Sequence, residues 1–249
     1  MTTLSPESLK SRLDAETRTR SASPMRPVDA ATLILMDSTD RNPRILMGRR
    51  NPNLKFMPGK YVFPGGRVDA ADRRMLAMGA LSPRTEMRLM AKAARMTGQR
   101  CRALAMAAIR ETFEETGLMI GTADYGQPEH APDGVWREYA EQGVHPTPDA
   151  LLFVARAITP PRRPRRFDTR FFVAESAAVG GKVERPIGPD AELTELAWVT
   201  LDEAVRLDLP TITQVIIEEL RQRMTAGLDV DQPVPFYYER NRRFVRETV

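Results

Sequence analysis

Between positions 110 and 118 the chain reads Arg-Glu-Thr-Phe-Glu-Glu-Thr-Gly-Leu, its densest run of chemically capable side chains. Advanced at 100° per residue along a helix, Glu111, Glu114 and Glu115 fall within about a 100° arc. Met106, Ile109 and Phe113 fall opposite, on a face suited to packing against a sheet. Three carboxylates so placed can hold a hard divalent cation through oxygen. They can equally form a solvated acidic face, which is common. Two features favour the cation. Like charges at this spacing repel by about 0.2–0.5 kcal/mol per pair. They also sit in the last turns before Gly117, a C-cap candidate, where the helix dipole disfavours an anion by about 0.3–1 kcal/mol. A bound cation reverses both penalties.

The remaining composition narrows the chemistry. With two histidines (His130 and His145) and a single cysteine, a zinc protease, a histidine-rich metal site and a Ser-His-Asp triad are nearly excluded. Oxygen ligands point to Mg2+ or Mn2+. One cysteine makes no internal disulfide, which fits a reducing compartment. The 249 residues are 42% hydrophobic and 28% charged, as in a soluble globular chain of one large or two small domains. No apolar run approaches the ~20 residues of a membrane span, and the polar N-terminus carries no signal peptide. A cytoplasmic protein with no membrane partner is expected. Formal charge is only +4, yet 32 of the 37 basic residues are arginine. Composition bias and phosphate recognition by guanidinium groups both account for that.

The elements that position these residues follow from pattern. A polar tail, 1–25, ends in a linker at 21–24. Strands are predicted at 30–36 and 44–49, joined as a hairpin through the turn-rich 37–43. A Pro/Gly-punctuated loop, 51–66, holds a short strand at 60–63. Residues 73–116 read as helical with a break near 79–83, and 125–149 as a loop around one short helix. Strands at 150–157, 170–174 and 193–199 precede helices at 202–207 and 212–224. Trp198 is expected in the core. Cys101, although flanked by Arg100 and Arg102, is expected to be a buried bystander. This order makes an α/β (α+β) domain with a mixed β-sheet, placed at 26–225 and followed by an extension, 226–249.

With Gly66 upstream, residues 110–118 resemble the Nudix box: Gly, five residues, Glu, seven residues, then Arg-Glu-aliphatic-any-Glu-Glu-any-Gly-aliphatic. Thr112 replaces the aliphatic, and Asp72 stands where the family has Glu. Thirty-seven residues separate Asp72 from Arg110 instead of seven. An interrupted box of this kind, together with 63–66 (FPGG), 68–72 (VDAAD) and 166–172 (RFDTRFF), resembles the coenzyme A diphosphatase branch and its bacterial relatives. The chain ends Glu247-Thr248-Val249 without the peroxisomal address of the animal members, so a cytoplasmic bacterial protein is expected.

The resemblance implies a Nudix-type α/β/α sandwich with a mixed β-sheet and a helical insertion, 73–109, within the box. It implies Glu111, Glu114 and Glu115 as metal ligands, aided by the carbonyl of Gly65 or Gly66, with Mg2+ or Mn2+ as cofactor. Arg110 completes the catalytic set by pairing with Asp72, loosely or through water because Asp is a methylene short. The implied reaction is hydrolysis of a nucleoside diphosphate linked to another moiety. Coenzyme A and acyl-coenzyme A lead, with NADH, ADP-ribose, nucleotide sugars and nucleoside triphosphates as alternatives. A non-catalytic Nudix regulator is less favoured, since all three glutamates remain and forty residues after 209 are few for a DNA-binding domain. Candidate phosphate contacts are Arg49, Arg50, Arg166 and Arg170. Glu192 is the candidate extra acid, with Glu184 and Glu195 behind it. The run 160–166 (PPRRPRR) suits a solvated turn or a phosphate contact; without interleaved aromatics it argues little for nucleic acid. The insertion is expected to add a helix at 84–97, with the box helix starting near 100. It would return close to the site, covering substrate or forming a homodimer contact. Its methionines (Met75, Met78, Met87, Met90, Met96) suit either an adaptable apolar wall or helix core.

Overall fold

The computed structural model describes residues 5–15, 25–185, 187–188 and 190–249; the linker expected at 21–24 lies outside them. The chain runs α1 (Pro6–Ala15), β1 (Val28–Asp37), β2 (Arg44–Arg50), β3 (Tyr61–Val62), β4 (Gly65–Arg67), α2 (Pro83–Met90), α3 (Gly98–Thr116) and β5 (Leu118–Thr122). It continues through α4 (Val135–Glu141), β6 (His145–Pro146), β7 (Leu152–Ile158), β8 (Phe167–Glu175), β9 (Val179–Lys182) and β10 (Leu193–Thr200). The last elements are α5 (Leu201–Ala204), α6 (Thr211–Thr225), β11 (Pro235–Arg240) and β12 (Arg243–Thr248).

The main sheet has the order β10-β2-β1-β8-β7-β11-β12, with β3 on β2 and β4 on β1. It is mixed: β1 and β8 run parallel, as do β7 and β11, while β2, β10 and β12 pair antiparallel with their neighbours. The central β1 (VDAATLILMD) is apolar on both faces, as a strand covered on both sides must be. Ala31, Leu33, Leu35 and Phe172 pack against α3 on one face. Ile34, Met36, Phe171 and Val173 pack with residues of α1 and α6 on the other. The result is an α/β/α sandwich, beside which β6-β5-β9 form a small second sheet.

Several local expectations are corrected. The tail contributes a helix: Leu9 and Leu13 of α1 are fully buried, and Asp14 Oδ1 accepts the backbone N–H of Phe244 at 2.7 Å. Residues 226–249 continue the sheet itself through the β11–β12 hairpin. In the insertion, α2 opens on Ser82, whose side chain accepts the Thr85 N–H, and on Pro83 at its first position. It stops at Met90 rather than continuing to 97. There the chain turns with Lys92 and Arg95 at positive φ, and the carbonyls of Ala91 and Lys92 accept from Arg156 Nη1 instead of helix amides. Of the methionines, Met75 is core and Met96 packs against it, whereas Met87 is exposed. Trp198 is 39% exposed, because β10 is an edge strand with little covering that position.

Candidate active site

The cleft is built on α3. Thr97 caps its start, accepting the Arg100 N–H at 3.4 Å. Gly117 ends it in the left-handed conformation at φ 75°; a Cβ there would lie 1.9 Å from the Val183 carbonyl oxygen. Ile109 and Phe113 are completely buried toward the sheet, which turns Glu111, Glu114 and Glu115 to the other side. Thr112, where the box has an aliphatic residue, is buried too; its hydroxyl donates to the Ala108 carbonyl at 2.8 Å, so no polar atom is stranded. β4 brings the glycines alongside. A Cβ on Gly66 would stand 2.5 Å from the Glu111 carboxylate, and one on Gly65 would stand 2.7 Å from the Ala31 carbonyl oxygen. Only glycine permits both approaches.

Arg110 organises the centre. Its Nε donates to Asp72 Oδ1 at 2.8 Å and its Nη2 to Asp72 Oδ2 at 3.2 Å, a direct bidentate pair rather than the loose one expected. Asp72 is wholly buried and is also held by Trp136 Nε1 at 3.0 Å and by the Asp69 N–H at 2.7 Å. The indole thus sits against the shorter side chain. Arg110 also donates to the Arg67 carbonyl at 2.9 Å, and its Nη1 meets Glu111 Oε1 at 2.8 Å and Glu114 Oε2 at 2.5 Å. Burial alone would lower its pKa, but Asp72, Glu111 and Glu114 raise it above the ordinary arginine value.

The glutamates carry more negative charge than Arg110 neutralises. Burial pushes the Glu111 carboxyl up to about 7, with Arg110 opposing and Glu114 reinforcing the shift. Burial lifts Glu115 well above the usual carboxylate range, helped by the charges of Glu111 and Glu192. Glu115 Oε2 is buried and has no hydrogen-bond partner. A buried orphan oxygen in a set of hard oxygen donors fits a divalent cation. In this conformation Glu111 and Glu114 lean on Arg110, and among the described residues no three carboxylate, imidazole or thiol groups already converge on one metal position.

The three glutamates share a cleft of about 320 Å³ with Arg185, Ala191, Glu192 and Leu193. Glu192, the extra acid expected from sequence, lies on this rim and pairs with Arg50 Nη1 at 3.0 Å. Glu195 instead accepts the Tyr61 hydroxyl at 2.8 Å, and Glu184 is exposed. Arg185 was not visible as a site residue in the sequence. It stacks 4.4 Å from the Phe113 ring centre and pairs with Glu138 at 2.8 Å.

The other expected arginines are not on this cleft. Arg49 lies on β2 opposite Glu195, over the Tyr61 ring. Arg166 donates to the carbonyls of Thr159 and Pro160 at 3.1 Å and to that of Met25. Arg170, only 1% exposed, is engaged with Asp29 at 2.8 Å and Asp168 at 3.2 Å. Those acids also hold Arg100 and Arg156, each at 2.7 Å. Cys101, on α3 beside this group, is buried as expected, and burial pushes its thiol up to about 11.

A mixed sheet between two helical layers, with a glutamate-bearing helix facing a Gly-Gly strand, is the fold of the Nudix hydrolases. The structure matches the crystal structure of a NUDIX hydrolase from Alicyclobacillus acidocaldarius with a TM-score of 0.60 and 23% identity, over 81% of this chain and 96% of that one. In sequence the chain is similar to a protein of Caenorhabditis elegans named as nudix hydrolase 7, 29% identical over 58% of this chain and 43% of that protein. It is similar also to a human acyl-coenzyme A diphosphatase, 29% identical over 65% of this chain and 54% of the human one. The chain therefore spans about half the length of the curated relatives it matches. No family model matches it. Among the described residues, no helix is long and apolar enough to cross a membrane.

Proposed function

We propose that this chain is a divalent-cation-dependent hydrolase of a nucleoside diphosphate linked to another moiety, with coenzyme A or an acyl-coenzyme A as substrate. The observation that carries the reading is the excess of buried carboxylate in the α3 cleft, with the unpartnered oxygen of Glu115 at its centre. Glu111, Glu114 and Glu115 would hold Mg2+ or Mn2+, with a carbonyl of Gly65 or Gly66 nearby. When bound, such a cation neutralises diphosphate oxygens and lowers the pKa of water. Arg110, locked by Asp72 and the Arg67 carbonyl, fixes the direction of the glutamates on either side of it. Arg50 and Arg185 bring positive charge to the cleft rim, where a diphosphate would lie. Water adds across one P–O–P bridge and two phosphomonoesters leave, a glutamate of the cleft taking the proton.

The coenzyme A assignment is supported by the similarity to the human acyl-coenzyme A diphosphatase and by the interrupted box. A screen with Mg2+ or Mn2+ over coenzyme A, acyl-coenzyme A, NADH, ADP-ribose, nucleotide sugars and nucleoside triphosphates tests it. Phosphopantetheine-type products from the first two are expected. Faster turnover of any other member removes the substrate and keeps the hydrolase; no turnover of any removes both.

A further inference from the structure

A second cavity, larger than the glutamate cleft, lies on the sheet face opposite α3. It encloses about 610 Å³. Its walls are apolar: Phe56 and Met57 from the loop 51–60, Ile158 at the end of β7, Phe171 of β8, Ile212 of α6 and Phe244 of β12. Phe171 and Phe244 belong to the buried cluster on that face, with Leu13 of α1. Lys55, Lys60, Arg163 and Arg165 also line it, Lys60 being paired with Asp208.

This cavity is joined to the glutamate cleft through one side chain. Arg50 pairs with Glu192 on the cleft rim at 3.0 Å and donates from Nε to the carbonyl of Phe56, in the cavity wall, also at 3.0 Å. The Asn51 N–H meets the Glu192 carbonyl at 2.9 Å, so the loop 51–60 leaves one site and walls the other. Arg50 and the loop 51–60 thus lie between the cleft and the cavity.

The lining selects the kind of group that enters. It contains no Asp, Asn, Glu or Gln, and its uncharged polar side chains are three threonines, Thr159, Thr169 and Thr211, so it offers a nucleobase no carboxylate or carboxamide to read its edge. An alkyl chain needs none, and each methylene fully buried is worth roughly fourfold in affinity. The cations among the lining suit a molecule that is anionic at one end and apolar at the other. The segment 16–24 (ETRTRSASP) carries no large apolar side chain and is a poor match for such walls.

We propose that the cavity between loop 51–60, β8 and α6 receives the fatty acyl chain of an acyl-coenzyme A whose diphosphate lies in the glutamate cleft. The proposal rests on the function read above for that cleft, and the test separates the two. Calorimetric titration of the full chain without added metal, using acetyl-, octanoyl- and dodecanoyl-coenzyme A, should show Kd falling by at least about tenfold along the series. In the Thr211→Trp variant, whose indole takes up part of the cavity, that slope should fall. A flat series in the natural chain, or an unchanged slope in a folded T211W, overturns the cavity assignment; if T211W does not fold, the natural series decides alone. Turnover with Mg2+ or Mn2+ is then measured on the same compounds. Chain-length-dependent binding without turnover removes acyl-coenzyme A as the substrate read for the cleft and leaves the cavity assignment standing. Turnover with a flat binding series removes the cavity assignment alone.

Discussion

Two of the clusters of buried arginine and carboxylate among the described residues, around Arg110 and around Arg170, differ in balance. Around Arg110 one guanidinium faces Asp72, Glu111 and Glu114, with Glu115 beside them and one of its oxygens unpartnered. Around Arg170 three guanidinium groups, of Arg100, Arg156 and Arg170, share Asp29 and Asp168. The first cluster opens on a cleft and keeps acceptors to spare. The second ties β1, β7, β8 and the start of α3 together, and every carboxylate in it is engaged. Arginine near carboxylate is thus common to both; what separates a site from a brace is which charge is in excess and whether an oxygen is left over.

The largest expected effect comes from neutralising the excess. Glu115→Gln should lower kcat by about 10²–10⁴-fold while leaving the thermal midpoint unchanged or higher, because a buried charge and its repulsion are removed together. Full activity with Mg2+ and Mn2+ in this variant would end the site assignment. The brace should respond the other way. Asp168→Asn strands two buried guanidinium groups and should cost about 3–5 kcal/mol in urea unfolding, with kcat per folded molecule retained; a selective loss of kcat would erase the distinction. Asp72 belongs to both descriptions, and Trp136→Phe probes it. Losing the indole donor should cost about 1–3 kcal/mol and shift activity less than Glu115→Gln does. The smallest effect concerns Cys101. Burial raises its thiol to about 11 despite Arg100 and Arg170 nearby, so below that pH it stays protonated. A thiol reagent at pH 8 should react only upon unfolding; rapid labelling of the folded chain would show that the brace activates its neighbour.

What was legible in the sequence was what the helix period and short spacing encode. The common face of Glu111, Glu114 and Glu115, the cap at Gly117 and the buried β1 follow from neighbours within a turn or a strand. Asp72 as the partner of Arg110 came through the resemblance across 37 residues, and geometry made the pair tighter than its side-chain length suggested. Contacts made only by the tertiary fold left no local trace: Trp136 on Asp72, Arg185 over Phe113, Arg50 between cleft and cavity. Arg170 misled because a guanidinium next to Phe167-Asp168-Thr169 reads the same whether it awaits phosphate or already holds Asp29. The helix α1 was missed because only Leu9 and Leu13 mark its inner face, too few to stand out from a polar tail.

That helix also sets a timetable. Alone, ten residues are too short to stay helical in water, and the surface that shelters Leu9 and Leu13 includes β12, with Asp14 meeting Phe244 across 230 positions. At a synthesis rate of about 5–20 residues per second, roughly 10–50 s pass between the making of α1 and the making of its seat. For that interval α1 waits without its seat, and it docks only after β12, which follows it by more than two hundred residues, has been made.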